Sequence, residues 1–203
     1  MSEVADTAAL DADPAERSVP VPLADDPAPR PVTTSDLVFE GRVWDIRRDT
    51  FDYNGTEMVR DYVDHPGAVA ILALDDDGRA LLIKQYRHPI AMREWELPAG
   101  LLDIENEDPL TAARRELAEE VDLQASEWSE LVSFHTTPGG SNETLRIFLA
   151  RGLSATETFA RSEEEADIER RWASLDEIVA AILAGKVQNS ILMIAVLAAH
   201  ARG

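Results

Sequence analysis

The stretch AVAILAL, residues 68–74, offers no polar position to water. A strand with one solvated face alternates apolar and polar side chains, so an unbroken apolar run of this kind belongs to a strand covered on both faces. Other layers must therefore pack on either side of it. Around this run the texture changes. LVFEGRVWDIRRDTFDY (37–53), Asn54-Gly55 and TEMVRDYV (56–63) read as antiparallel strands about a tight turn, because Asn-Gly readily takes the positive φ angles of a hairpin. DDDGR turns the apolar run into a second strand, ALLIKQYR, and WSELVSFHTTPGG and ETLRIFLARGL predict two more. SLDEIVAAILAGKV opens with Ser174 and Glu177 at capping-box spacing and sets Ile178, Ile182 and Leu183 on one side of a helix. A last apolar helix is predicted over 189–201. Strands and helices mixed in this order predict the α/β class, either an α+β domain or a mixed-sheet α/β/α domain.

Three segments follow from composition. Residues 1–35 hold six of the eleven prolines, many alanines and no apolar period, the signature of a disordered acidic tail. Residues 36–63 form a small N-terminal β extension, too little for a domain alone. Residues 64–203 form the main domain. With 39 acidic and 19 basic side chains the net charge is −20, which repels phosphate backbones and anionic lipid. We therefore expect no nucleic-acid partner and no membrane. An acidic protein that takes an anionic ligand needs cations in between. The absence of cysteine removes disulfides, thiolate catalysis and cysteine-based zinc sites. No signal segment is visible at the start, and the run ILMIAVLAA is too short to span a bilayer, so the expected location is cytoplasmic.

GLLDIENEDPLTAARRELAEEVDL, residues 100–123, carries the chemistry. Asp108-Pro109 is a helix start, with the carboxylate as N-cap and proline in the first turn. Leu110, Ala113, Leu117 and Val121 recur at helical spacing as the buried stripe, and the helix runs to about Val121. Glu116 and Glu120 are four apart with Glu119 beside them, so their carboxylates share a face and repel by about 0.2–0.5 kcal/mol per pair. Two readings account for this. One is a solvated acidic face with Arg115 pairing to Glu119. The other is a hard-cation site, since Mg2+ or Mn2+ is commonly held by one or two carboxylates plus substrate phosphates.

This stretch resembles the box of the Nudix family: Gly, five residues, Glu, seven residues, Arg-Glu, an apolar residue, any residue, Glu-Glu, any residue, Gly and an apolar residue. Gly100 matches the first glycine, Glu107 the first glutamate, and RELAEE supplies Arg115, Glu116, Glu119 and Glu120. Two departures stand out. Six residues instead of five separate Gly100 from Glu107, and Asp122 occupies the position of the second glycine. The resemblance implies an α/β/α fold and metal-dependent cleavage of a nucleoside diphosphate linked to another moiety. It implies Glu116, Glu120 and Glu119 as ligands of Mg2+ or Mn2+ together with the Ala99 carbonyl. Arg115 would orient the glutamates, and Glu107 would tie loop to helix. Pro138, about fifteen residues beyond the box, and the segments QYR, WELPAG and TTPGGSNE are similar to the ADP-ribose pyrophosphatase subgroup. That likeness implies ADP-ribose as substrate and AMP and ribose 5-phosphate as products. Other nucleoside diphosphate sugars, triphosphates, or a module that senses the nucleotide without cleaving it are the alternatives.

Outside the box, the resemblance implies a glutamate of RSEEEAD as general base or further ligand, Glu165 first and Glu164 second; otherwise the run is an acidic loop. Arg87 either grips the diphosphate or forms a surface salt bridge. Glu96 either binds the nucleoside or anchors its loop. Trp44 either stacks on adenine or packs in the core. In related ADP-ribose enzymes the N-terminal sheet is shared across a homodimer, which would bring Trp44 or Arg48 to the partner's site. For Asp122 the expectation is a left-handed turn, with its charge mildly unfavourable at the helix end.

Overall fold

The computed structural model describes residues 23–157 and 167–202. Strand β4 (Ala68–Ala73) is buried at every position, and its side chains alternate between two cores. Ala68, Ala70 and Leu72 join one cluster, and Val69, Ile71 and Ala73 the other. The first cluster is roofed by helices α2 (Leu175–Leu183) and α3 (Ser190–Arg202), through Ile178, Ile182, Leu192, Ala195 and Val196. The second lies under α1 (Pro109–Val121), through Ala112, Ala113, Leu117 and Val121. Helices thus cover both faces of the apolar run, as its composition demands.

Among the described residues the strands divide into three sheets. β4 lies between β7 (Ala99–Leu101) and β9 (Thr144–Ala155), with β8 (Leu123–His135) outside β9. The β4–β9 pair is parallel, and β4–β7 and β8–β9 are antiparallel. A second sheet has the order β10-β5-β6, from Glu169–Ser174, Arg79–Arg87 and Met92–Glu96. The third joins β1 (Val32–Phe39), β2 (Asp45–Tyr53) and β3 (Thr56–Asp64) as an antiparallel meander. Asn54 and Gly55 both take positive φ, 56° and 85°, at the hairpin between β2 and β3.

Three local expectations are corrected. β1 starts at Val32, inside the stretch assigned to the tail, because Val32 to Phe39 find ladder partners on β2 from Phe51 to Ile46. β8 begins directly after α1 and is longer than its apolar pattern announces; pairing with β9 along its length holds the polar part. Leu183 is 79 % exposed, since α2 ends there and its core face is made by Ile178 and Ile182, with Leu175 and Val179 packed beside them. The Ser174 cap holds as read, its hydroxyl accepting from Glu177 N–H, and the structure adds a cap on α3, where Asn189 Oδ1 accepts from Leu192 N–H.

Candidate active site

α1 begins where Asp108 takes extended dihedrals and its carboxylate accepts from the amides of Leu110 and Thr111. The carboxyl stays below the usual range, held there first by the Thr111 hydroxyl. Ala112, Ala113, Leu117 and Val121 then sink into the core, and this fixes the rotation of the helix. Glu116 and Glu120 are thereby turned toward β7, and Glu119 lies beside them against Arg115.

On β7, Gly100 pairs with Val69, which points into the core under α1. Opposed residues in a ladder point to the same face, so a side chain at position 100 would also point at α1. The Glu116 carboxyl fills that place: a Cβ on Gly100 would fall inside van der Waals distance of its Cγ, Cδ and Oε1. The first glycine of the box is required by this contact. One residue earlier, Ala99 N–H donates to Glu120 Oε2 at 2.9 Å, and Glu120 is only 6 % exposed.

Arg115 ties the acidic groups together. Its Nε and Nη2 donate to both oxygens of Glu107 at 3.1 and 2.9 Å, while Nη1 reaches Glu116 Oε1 at 2.5 Å and Glu119 Oε2 at 3.2 Å. The Glu107 carboxylate raises the Arg115 pKa further above its ordinary value, and in return the guanidinium lowers that of Glu107. The expected i,i+4 pair with Glu119 is present as one spoke of a larger network. Glu119 is the most open of the three helix glutamates, with 44 % of its side chain exposed.

The donor set suits a hard divalent cation by its chemistry: carboxylate oxygens on one helix face, beside strand backbone. Among the described residues no three acidic or histidine side chains are drawn together as a finished cage. Glu116 and Glu119 turn to Arg115, and Glu120 turns to the Ala99 amide.

The other candidates separate. Arg87 and Glu96 meet each other: Nε and Nη2 donate to the two Glu96 oxygens at 2.9 and 2.7 Å, and Gln85 Nε2 adds a third bond at 3.2 Å. Glu96 is 4 % exposed, so this is a buried carboxylate held flat by a half-exposed guanidinium. Arg48 pairs across the meander with Asp61 at 2.6 and 2.8 Å. Trp44 stacks on His65, ring centroids 4.4 Å apart at 22°. Among the described residues these partners lie outside the box, so within one chain neither Arg48 nor Trp44 joins the acidic helix. Trp44 also borders a cavity of about 390 Å³ with His65, Thr137 and Glu143. Pro138 lines a second, of about 430 Å³, with Arg60, Tyr62 and Asn142. Glu163, Glu164 and Glu165 lie outside the described residues.

Sequence reading missed two features. His65, which carries no ligand spacing, is fixed by Gly67 N–H donating to Nδ1 at 3.0 Å and by the stacked Trp44. Arg170, on β10, donates to the end of α1. The carboxylate at the helix terminus was the available signal for a cation there, but not for which one.

Layered helices on a mixed sheet, with a loop and a glutamate-rich helix at its rim, define a class, and the chain belongs to it: the NUDIX domain model matches residues 64–193. The chain is 44 % identical over 169 residues to an ADP-ribose pyrophosphatase of Mycobacterium tuberculosis (strain ATCC 25618 / H37Rv), covering 83 % of this chain and 82 % of that one. It is 34 % identical to a methanol dehydrogenase activator of Bacillus methanolicus, over 80 % of this chain and 88 % of the relative. An ADP-ribose pyrophosphatase of Bacillus subtilis (strain 168) is 33 % identical, with 75 % and 83 % covered. A crystal structure of an ADP compounds hydrolase superposes with TM-score 0.73 at 19 % identity, covering 88 % of this chain and 96 % of that one, and so shares the fold.

Proposed function

We propose that this chain hydrolyses the pyrophosphate bond of ADP-ribose, giving AMP and ribose 5-phosphate, with Mg2+ or Mn2+ as cofactor. The observation that carries the reading is the meeting of α1 and β7, where Glu120 and Glu116 lie against the backbone of Ala99 and Gly100 and Glu119 stands beside them on the same helix face. The relatives at 44 % and 33 % identity, both named ADP-ribose pyrophosphatases, supply the substrate.

In this reading Glu116, Glu119 and Glu120 hold the cations with the Ala99 carbonyl. Within an extended strand the N–H and C=O of one residue point to the same side. The Ala99 N–H is directed at Glu120, so its carbonyl faces α1 as well. Bound there, a hard divalent cation neutralises the pyrophosphate and acidifies water. The chain's own part is positional. Arg115 spreads the glutamates and Glu107 holds Arg115. Arg87, oriented by the Glu96 carboxylate along its Nε–Nη2 edge, is the cation assigned to the diphosphate. Attack by water forms one P–O bond and breaks the bridging one, and the water's proton passes to a carboxylate, Glu165 before Glu164. The reading extends to a cytoplasmic homodimer built on the meander of residues 32–64, with Trp44 and Arg48 serving the partner's site. Strand β1 is exposed along its whole length, and Phe39, Val43 and Tyr53 are exposed apolar positions nearby, which supports a partner surface.

The test is a panel of ADP-ribose, ADP-glucose, GDP-mannose, NADH, a diadenosine polyphosphate and 8-oxo-dGTP with Mg2+ or Mn2+, with the products identified. Turnover of none of them sinks the enzyme, and turnover of the triphosphate alone sinks the substrate. Preference for GDP-mannose would favour a second reading as a broader nucleotide-sugar hydrolase; a GDP-mannose pyrophosphatase of Yersinia enterocolitica is 34 % identical over 50 % of this chain and 57 % of its own length.

A further inference from the structure

The departure from the family pattern at position 122 has a partner 48 residues along the chain. Asp122 takes the left-handed conformation that glycine would adopt, φ 57° and ψ 36°, and its amide closes the last turn onto the carbonyls of Leu117 and Ala118. A carboxylate at this place meets the negative end of the helix and is repelled by its terminal carbonyls. Arg170 answers both charges. Its Nη1 donates to Val121 O at 2.9 Å, and its Nη2 donates to Glu120 O at 3.2 Å and to Asp122 Oδ2 at 2.9 Å. The backbone of Arg170 is held in place, because it pairs with the buried Ile83 on β5 and the neighbouring Glu169 is bound by Arg93. Two of the three acceptors are helix carbonyls, which an ordinary surface ion pair would leave alone. Glu120 is consequently held twice, by its carbonyl from Arg170 and by its carboxylate from the Ala99 amide.

We infer that Arg170 is a positioning residue for the acidic helix, and that Arg170 and Asp122 form one unit that replaces the box glycine. Asp122 draws in the guanidinium, and the guanidinium fixes the last turn and with it the direction of the Glu120 side chain. The inference rests on the reading of Glu116, Glu119 and Glu120 as cation ligands.

The experiment compares Arg170→Ala, Arg170→Lys, Asp122→Gly and the double variant Arg170→Ala/Asp122→Gly. Melting temperature is measured without metal, Mn2+ binding by calorimetry without substrate, and kcat and KM with ADP-ribose. Arg170→Ala lowers the melting temperature and weakens Mn2+ binding about ten- to a hundredfold, the usual cost of losing a group that orients a ligand. Its kcat falls by a similar factor while KM changes far less. Arg170→Lys, with one charge and no planar fork, falls between. Asp122→Gly weakens Mn2+ binding less than Arg170→Ala does, and the double variant melts above Arg170→Ala because the carboxylate at the negative end of the helix has gone. A folded Arg170→Ala that binds Mn2+ like the parent overturns the positioning role, and strictly additive melting shifts overturn the two-part unit. Should Arg170→Ala not fold, Arg170→Lys decides, with undiminished Mn2+ binding overturning the inference. A parent protein that binds Mn2+ yet cleaves nothing would sink the proposed reaction and leave this inference standing.

Discussion

Gly100→Ala is the substitution whose outcome the geometry fixes most tightly. The position lies in a strand and has no positive φ, so alanine suits the backbone and by itself gains about 0.4–1 kcal/mol through the unfolded chain. Its Cβ would occupy the place of the Glu116 carboxyl. Carbon atoms in contact sit about 3.5–4 Å apart, so the carboxyl must swing away by more than about 1 Å. The displaced group is the end of a flexible side chain, and its bond to Arg115 is a partly exposed ion pair with a contribution of about 0.2–1 kcal/mol. The two contributions nearly cancel, and melting should shift by no more than about 4 °C, since 1 kcal/mol corresponds to about 2–4 °C for a domain of this size. Catalysis responds differently. Misplacement of about 1 Å in a positioned group can cost about 100-fold, and at 1.36 kcal/mol per tenfold this is about 2.7 kcal/mol of barrier. The assay pairs thermal melting with kcat on ADP-ribose at saturating Mg2+. A variant that melts and turns over like the parent would refute the placement of Glu116. One that has lost more than about 10 °C would refute the claim that a side-chain tip absorbs the overlap.

Further outcomes follow from the same contacts. Glu120→Gln keeps an oxygen for the Ala99 amide and removes a charge from the helix face, so it should fold as well as the parent while losing most activity; normal turnover would remove Glu120 from the ligand set. The carboxyl of Glu107 is depressed by Arg115, so its contribution to stability is complete above its unfolded pKa and disappears as pH falls through the lower folded value. Glu107→Gln should therefore flatten the acid limb of a melting-temperature profile below about pH 4.5, and an unchanged limb would count against the pair. Arg87→Ala leaves buried Glu96 without its bidentate partner, so it should raise KM for ADP-ribose and lower the melting temperature together; a change in neither would make the pair incidental. Light scattering in solution should give twice the chain mass, and truncation before residue 64 should halve it.

How far the chain announced itself depends on the reach of each interaction. AVAILAL implied cover on both faces, and the alternating clusters on β4 provide it. Asp108-Pro109, the apolar period of α1, the Ser174 cap and the Asn54-Gly55 turn were all legible because a helix end or a hairpin is decided within a few residues. The spacing of Glu107, Arg115, Glu116, Glu119 and Glu120 was legible for the same reason, since helical geometry turns spacing into a shared face. The remaining features required the tertiary fold. Gly100 is needed because Glu116 lies over it, and that follows from the pairing of β7 with β4 under α1. Arg87 and Glu96 were two separate candidates until β5 and β6 paired and joined them. Asp122 read as a tolerated departure with an unfavourable charge, and only the register of β10 on β5 brings Arg170 to neutralise it. In each case the partner is chosen by sheet register, and a one-residue slip, which would turn every side chain to the opposite face, leaves no trace in local spacing.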